Sequence, residues 1–263
     1  MAKKKIPDET NIINLLTENS YLFKGLNQEE LSFYLPKDSL VKEKLFSNRP
    51  VFTAFLPDES VDNLYVILEG GPIIARSNPL DRIISITYAG GCFGMRSLPF
   101  SHGFATKSFP SLVEAYKTTY ITKIPLQSLQ KIYDHFEIVR DRYTTLFELR
   151  EKFTYHLLNC SSYPPQAVAS LLRALIYQER ELQSQPNEKG IYVFDLSVDV
   201  IAKACQLNQR TVEQVLKGMQ KEGLISLDKD NETSEDVINI LRPEELKEVY
   251  SATRDKVSWW PLR

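Results

Sequence analysis

Residues 195–227, DLSVDVIAKACQLNQRTVEQVLKGMQKEGLISL, leave this chain few ways to fold. Ile201 and Ala202 put an apolar anchor and a small residue where two short helices must approach closely. Leu207 falls in the tight turn between them, pointing inward. Val212 and Val215, three residues apart, give the second helix a buried stripe. Asn208 suits its N-cap and Gly223 its C-terminal stop. The run 224–227 beyond that stop is β-type and would open a wing hairpin. The pattern predicts a winged helix-turn-helix, the device that lays one helix in the major groove of double-stranded DNA. A helical hairpin in an ordinary core is the competing reading of the same spacing.

With Asn208 as cap, Gln209, Arg210 and Thr211 form the first turn of the second helix, and Gln214 follows Arg210 by four residues. The buried side is taken by the two valines, so these four are the expected base readers, Arg for guanine and Gln for adenine. Ser197 and Lys217 are placed for phosphates. Charge argues the other way. The whole chain carries a formal net charge of −2, and from residue 195 to 263 ten Lys and Arg face thirteen Asp and Glu. Most DNA-binding domains are basic, and the segment 228–236 (DKDNETSED) puts acid where a wing tip would approach phosphates. An alternative function therefore stays open: an interaction protein that retains the fold and acts through a partner, with weak or no autonomous DNA binding.

The length of 263 residues gives room for two domains. Two helices are expected at 10–19 and 27–35, the second opened by Asn27 with Glu30 three residues on, a capping-box variant. From about 40 to 124 the texture is short β-rich runs, at 50–56, 63–68, 72–76, 83–88, 112–115 and 119–124. Gly70-Gly71, Asn78-Pro79, Gly90-Gly91 and Gly103 punctuate them. Such spacing predicts a small antiparallel barrel or jelly roll.

A short helix at 126–133 and a long one at 136–161 follow. In the long helix Val139, Tyr143, Leu146, Arg150, Phe153, Leu157 and Cys160 recur at alternating steps of four and three, a heptad seam. A helix lying on its own barrel would show a similar stripe. The narrowness of the seam and its place between domains favour self-pairing, with Val139, Tyr143, Leu146, Phe153 and Leu157 holding a homodimer. Arg150, a charge at an inward position, must meet an acidic partner or reach into a pocket. Pro164-Pro165 ends the helix. The expected division is 1–135 for the N-terminal helices and barrel, 136–163 for the dimerisation helix, and 164–263 for the DNA-binding domain with its tail. The tail, 250–263, holds Trp259-Trp260, either docked on the fold or forming a partner surface.

Catalytic patterns are absent from the sequence: it has no P-loop, nucleophile elbow, HExxH or GxGxxG, and no enzymatic activity is expected. Cys92, Cys160 and Cys205, with His102, His135 and His156, offer no metal-ligand spacing. Free thiols in a reducing cytoplasm are expected, with no metal and no cofactor. No apolar run approaches the roughly 18 residues that span a bilayer, so no membrane partner is expected.

Within the β-rich part, residues 63–70 (NLYVILEG) and 84–94 (ISITYAGGCFG) are similar to the strand-and-glycine segment and the effector-cassette approach of one regulator family. Barrel, long helix and winged helix-turn-helix stand in that family's order. The chain thus resembles the Crp/Fnr family of bacterial transcription regulators from about residue 40 to about 227. The resemblance implies an α+β fold: an N-terminal cyclic-nucleotide-binding-like β-barrel of jelly-roll type, a long dimerisation helix and a C-terminal winged helix-turn-helix. It implies a dimeric, sequence-specific regulator on double-stranded DNA, with RNA polymerase or a second regulatory protein as a further partner. By family register the base-reading places fall on Gln209, Arg210 and Gln214, which implies a half-site richer in A·T pairs than usual.

Departures from the family are equally specific. Met95 stands where cyclic-nucleotide members place a ribose-binding Glu, and Phe109-Pro110 where they place an Arg and a small hydroxyl residue for the cyclic phosphate. Cyclic-nucleotide dependence is therefore not expected. The N-terminus lacks the cysteine cluster of the oxygen-sensing branch, and of the haem branch's ligands only His102 or Cys92 could be matched. Residues 93–98 resemble the nitrogen-control branch that senses 2-oxoglutarate. The expected effector pocket is Phe93, Gly94, Met95, Arg96, Lys107 and Arg150. Arg96 and Lys107 would face a small dicarboxylate or stand as surface charges.

Overall fold

The computed structural model describes residues 9–35, 40–47, 50–54, 62–77, 81–95, 111–158, 161–184, 186–229, 236–251 and 257–260. The chain divides into two compact units, residues 1–79 with 85–150, and residues 80–84 with 151–263. The division falls within the long helix and not at Pro164-Pro165.

The first unit opens with α1 (Glu9–Asn19) and α2 (Gln28–Tyr34). Asn27 caps α2, its side chain accepting the Glu30 N–H at 3.0 Å. The Glu30 carboxylate does not return the bond to the cap. It meets His135 Nε2 at 2.8 Å, so the expected capping box is made in one direction only.

Eight strands follow: β1 (Glu43–Leu45), β2 (Pro50–Ala54), β3 (Asn63–Gly70), β4 (Ile73–Ser77), β5 (Arg82–Thr87), β6 (Cys92–Phe93), β7 (Ser111–Ala115) and β8 (Thr119–Pro125). They form two four-stranded antiparallel sheets, β1-β8-β3-β6 and β2-β7-β4-β5. That is the double-sheet, jelly-roll form of the expected β domain. Among the described residues no ladder closes it into a barrel. In the central β3–β8 pair Leu64 lies opposite Ile124 and Ile67 opposite Ile121, all four fully buried. A register shift between Ile67 and Glu69 lets Val66, Ile67 and Leu68 all turn inward, breaking simple alternation.

Helices α3 (Leu126–His135) and α4 (Glu137–Leu158) complete this part of the chain. Along α4, Val139, Tyr143, Leu146, Phe153 and Leu157 are buried within the single chain, none more than 8% exposed. Tyr143 donates its hydroxyl to the Met95 carbonyl at 3.0 Å, and Thr154 donates to the Ile84 carbonyl at 2.9 Å. These five seam residues are thus covered within a single chain. The sequence could not separate the two cases, because a helix on a sheet and a helix on a helix both bury one stripe at steps of four and three. Among the described residues of α4, the large apolar side chains exposed to solvent are Ile138, 46% exposed, and Tyr155, 67% exposed.

The second unit holds α5 (Pro164–Glu181), β9 (Tyr192–Asp195), α6 (Val198–Cys205), α7 (Gln209–Lys221), β10 (Ile225–Lys229), β11 (Asp236–Ile240) and α8 (Leu246–Ser251). Pro164 starts α5 at a position where its missing N–H costs nothing. The strands form a three-stranded sheet in the order β10-β11-β9. Leu172, Leu175, Phe194, Ile201, Val212, Val215, Met219 and Ile238 form a buried apolar core between this sheet and the helices. No helix among the described residues is long and apolar enough to cross a membrane.

Candidate nucleic-acid interface

Both helices of the helix-turn-helix are capped as their sequence requires. The Ser197 hydroxyl accepts the Val200 N–H at 3.3 Å and opens α6. Asn208, in extended conformation, accepts the Thr211 N–H at 2.8 Å and opens α7. Between them Gln206 adopts the left-handed conformation (φ 56°, ψ 38°) that turns the chain sharply, while Leu207 is half-buried and returns its N–H to the Ala202 carbonyl. Gly223, at φ 69°, closes α7: its N–H reaches the Gln220 carbonyl and the Leu224 N–H the Met219 carbonyl, each at 3.0 Å. The far side of α7 is locked by Val212, Val215, Leu216 and Met219, none more than 1% exposed.

The opposite side carries Arg210, Gln214 and Lys217, all exposed, at steps of four and three along one stripe. Lys221, also exposed, continues the stripe by another four. The sequence reading did not include it, although the spacing alone would have supplied it.

Gln209 and Thr211 are differently placed. The Gln209 amide donates to Asp199 on α6 at 2.9 Å, and Asp199 also holds Lys203 at 2.8 Å. The Thr211 hydroxyl donates to Asn208 Oδ1 at 2.9 Å, so it serves the cap. Ser197 uses an oxygen lone pair for its cap and keeps its O–H proton to donate. The wing is a true hairpin, with β10 and β11 antiparallel and Leu227 opposite Ile238. Residues 230–235, the core of the acidic segment, lie outside the described residues.

The expected effector pocket is only partly within view. Arg96, Lys107, Phe109 and Pro110 lie outside the described residues, as do His102 and Cys160. Phe93 and Met95 are buried, 4% and 1% exposed, and the Phe93 ring stacks on Tyr65 with centroids 4.8 Å apart. Gly94 takes a φ of 92°, open to glycine at no cost. Arg150 is half-buried and lies close enough to Cys92 to act on it. Burial pushes the Cys92 thiol up to about 12, with the Arg150 guanidinium acting in the opposite direction. At pH 8 the thiolate fraction is then about one in ten thousand. Iodoacetamide labelling at pH 8, read by peptide mapping, is expected to leave Cys92 unmodified in the folded chain and to modify it at the rate of unfolding. Rapid native-state labelling would contradict the burial.

No protein-family model matches the chain, and no curated protein sequence does. Solved structures do match. FixK2 from Bradyrhizobium japonicum is similar with a TM-score of 0.59 over 81% of this chain and 98% of its own, at 14% identity. A cyclic nucleotide-binding domain containing protein from Listeria monocytogenes is similar at 0.57, over 82% of this chain and 97% of its own, also at 14% identity. A transcriptional regulator of the crp/fnr family from Eubacterium rectale is similar at 0.51, over 87% and 97%, at 16% identity.

Proposed function

We propose that this chain, whose fold is that of the Crp/Fnr regulators, is a sequence-specific DNA-binding transcription regulator that uses α7 as its recognition helix. The observation that carries the reading is the exposed Arg210–Gln214–Lys217 stripe on a helix whose other side is fully buried and whose two ends are capped. Arg210 offers a two-pronged donor to a guanine edge, Gln214 pairs with adenine, and Lys217, Lys221 and the Ser197 hydroxyl reach phosphates. Gln209, held by Asp199, would read a base only by exchanging that bond. No catalytic step belongs to this reading.

Two chains would be needed to cover two half-sites. Because the apolar stripe of α4 is already buried, their contact would use the outer side of that helix, at Ile138 and Tyr155. Regulation would not run through a cyclic nucleotide, since a buried Met95 offers a ribose no carboxylate. The acidic balance of residues 195–263 favours a second reading, in which the fold binds a protein partner and not DNA.

Selection of duplexes from a random pool, without added nucleotide and at two salt concentrations, separates the two. Enrichment of a motif containing a guanine and flanking adenines, bound less tightly at higher salt, is the expected result. No enrichment at either salt would rule out autonomous DNA binding.

A further inference from the structure

The C-terminal segment 257–260 folds back onto the recognition helix. Trp259 lies against Gly218, on the flank of α7 beside the exposed stripe. A Cβ built on Gly218 would come within 2.5 Å of Cζ3 of the indole and closer still to Cε3, so no larger residue fits while the ring is seated. Trp260 is 3% exposed and meets Trp259 edge to face, ring planes at 90° and centroids 6.4 Å apart. The Val257 N–H donates to the Tyr163 hydroxyl at 3.1 Å, and Tyr163 is the N-cap residue of α5. The segment therefore spans from the start of α5 to the C-terminal half of α7. Glycine is a poor helix former in a helix interior, and at Gly218 its presence is explained by the ring seated on it.

We propose that residues 257–260 are a brace for the recognition helix, and that Trp259 is a positioning residue for DNA selection. Arg210, Gln214 and Lys217 project from a helix whose buried side is fixed by the core and whose flank is fixed by the indole. Removing the ring frees α7 to roll, and bases are discriminated by hydrogen-bond geometry that tolerates little roll. The proposal rests on the DNA-binding reading for its functional half, while the mechanical half stands apart from it.

The test uses the full chain and the duplex it selects. Trp259→Ala is expected to lower affinity for that duplex by roughly tenfold and to narrow its preference over a scrambled duplex. Trp259→Phe, which keeps an aromatic ring, restores most of both. Gly218→Ala is expected to reproduce the loss although Ala is the better helix former, and to add little in the Trp259→Ala background. Hydrogen exchange at the amides of residues 216–221, measured without DNA, is expected to speed up in Trp259→Ala and Gly218→Ala but not in Trp259→Phe. Unchanged exchange overturns the brace whether or not DNA is bound. Faster exchange with unchanged affinity and selectivity reduces Trp259 to a packing residue and overturns the positioning role. If the chain selects no duplex, the DNA-binding reading fails, and exchange alone decides the brace.

Discussion

Leu146→Asp is expected to destabilise the chain by about 3–5 kcal/mol, with a denaturation midpoint that does not move with protein concentration. Leu146 is 8% exposed within a single chain and lies on the buried side of α4 between Tyr143 and Leu149. A carboxylate there loses the apolar contacts of the leucine and also an aqueous environment. It must bind a proton, recruit water or expel the helix. If the seam held two chains together, the loss would instead shrink as concentration rises, since association stabilises by mass action. Tyr155→Glu supplies the contrast. At 67% exposed the side chain gives up little on substitution, so stability should change by less than about 0.5 kcal/mol. Any two-chain assembly that uses the outer side of α4 should nonetheless weaken in sedimentation. A concentration-dependent midpoint for Leu146→Asp would place the seam back at an interface.

Arg210→Ala is expected to cost about 1–3 kcal/mol on the selected duplex and to relax the preference at one base pair. Arg210 is exposed in the first turn of α7, and no acidic residue caps that turn. Its planar guanidinium can give two parallel hydrogen bonds to one guanine, which is why one base pair should register the loss. Lys217→Ala, one residue of the same stripe nearer the C-terminus, should weaken all duplexes alike. It should also flatten the slope of log affinity against log salt by about one, the signature of one lost phosphate contact. Titrations of both variants at several salt concentrations separate the two roles. Equal losses on selected and scrambled duplexes for Arg210→Ala would remove it from base reading.

The helix-turn-helix was legible because each constraint there is local. Caps lie within three residues of the groups they satisfy, and the stripe Val212–Val215 lies within one helix. The β domain was legible as a texture. Strands β3, β4, β5, β7 and β8 carry enough apolar residues to be located, whereas β1 and β6, three and two residues long, have no period to detect. Strand β9 was missed because Tyr192-Val193-Phe194 abuts a polar stretch and resembles the end of a linker. The seam of α4 could be read for its stripe but not for what covers it, since that depends on a sheet far away in sequence. Glu30 shows the same limit in miniature, a local motif diverted by His135, 105 residues away. The tail was undecided for the same reason. Nothing near Trp259 in the chain announces Gly218, and an unexplained glycine within the otherwise regular helix α7 was the available clue.

The register of β9 against β11, with Asp195 opposite Val237 and Tyr192 opposite Ile240, sets where this winged helix-turn-helix unit can be cut from its neighbours. A fragment beginning at Ser197 would contain both helices and the hairpin, and on paper would be the whole motif. It would also strip an outer strand from β11 and leave a row of unpaired N–H and C=O groups facing solvent, an invitation to edge-to-edge stacking. The transferable unit therefore starts before Tyr192, and any transplant of this helix-turn-helix onto another protein must carry a strand that lies outside the motif.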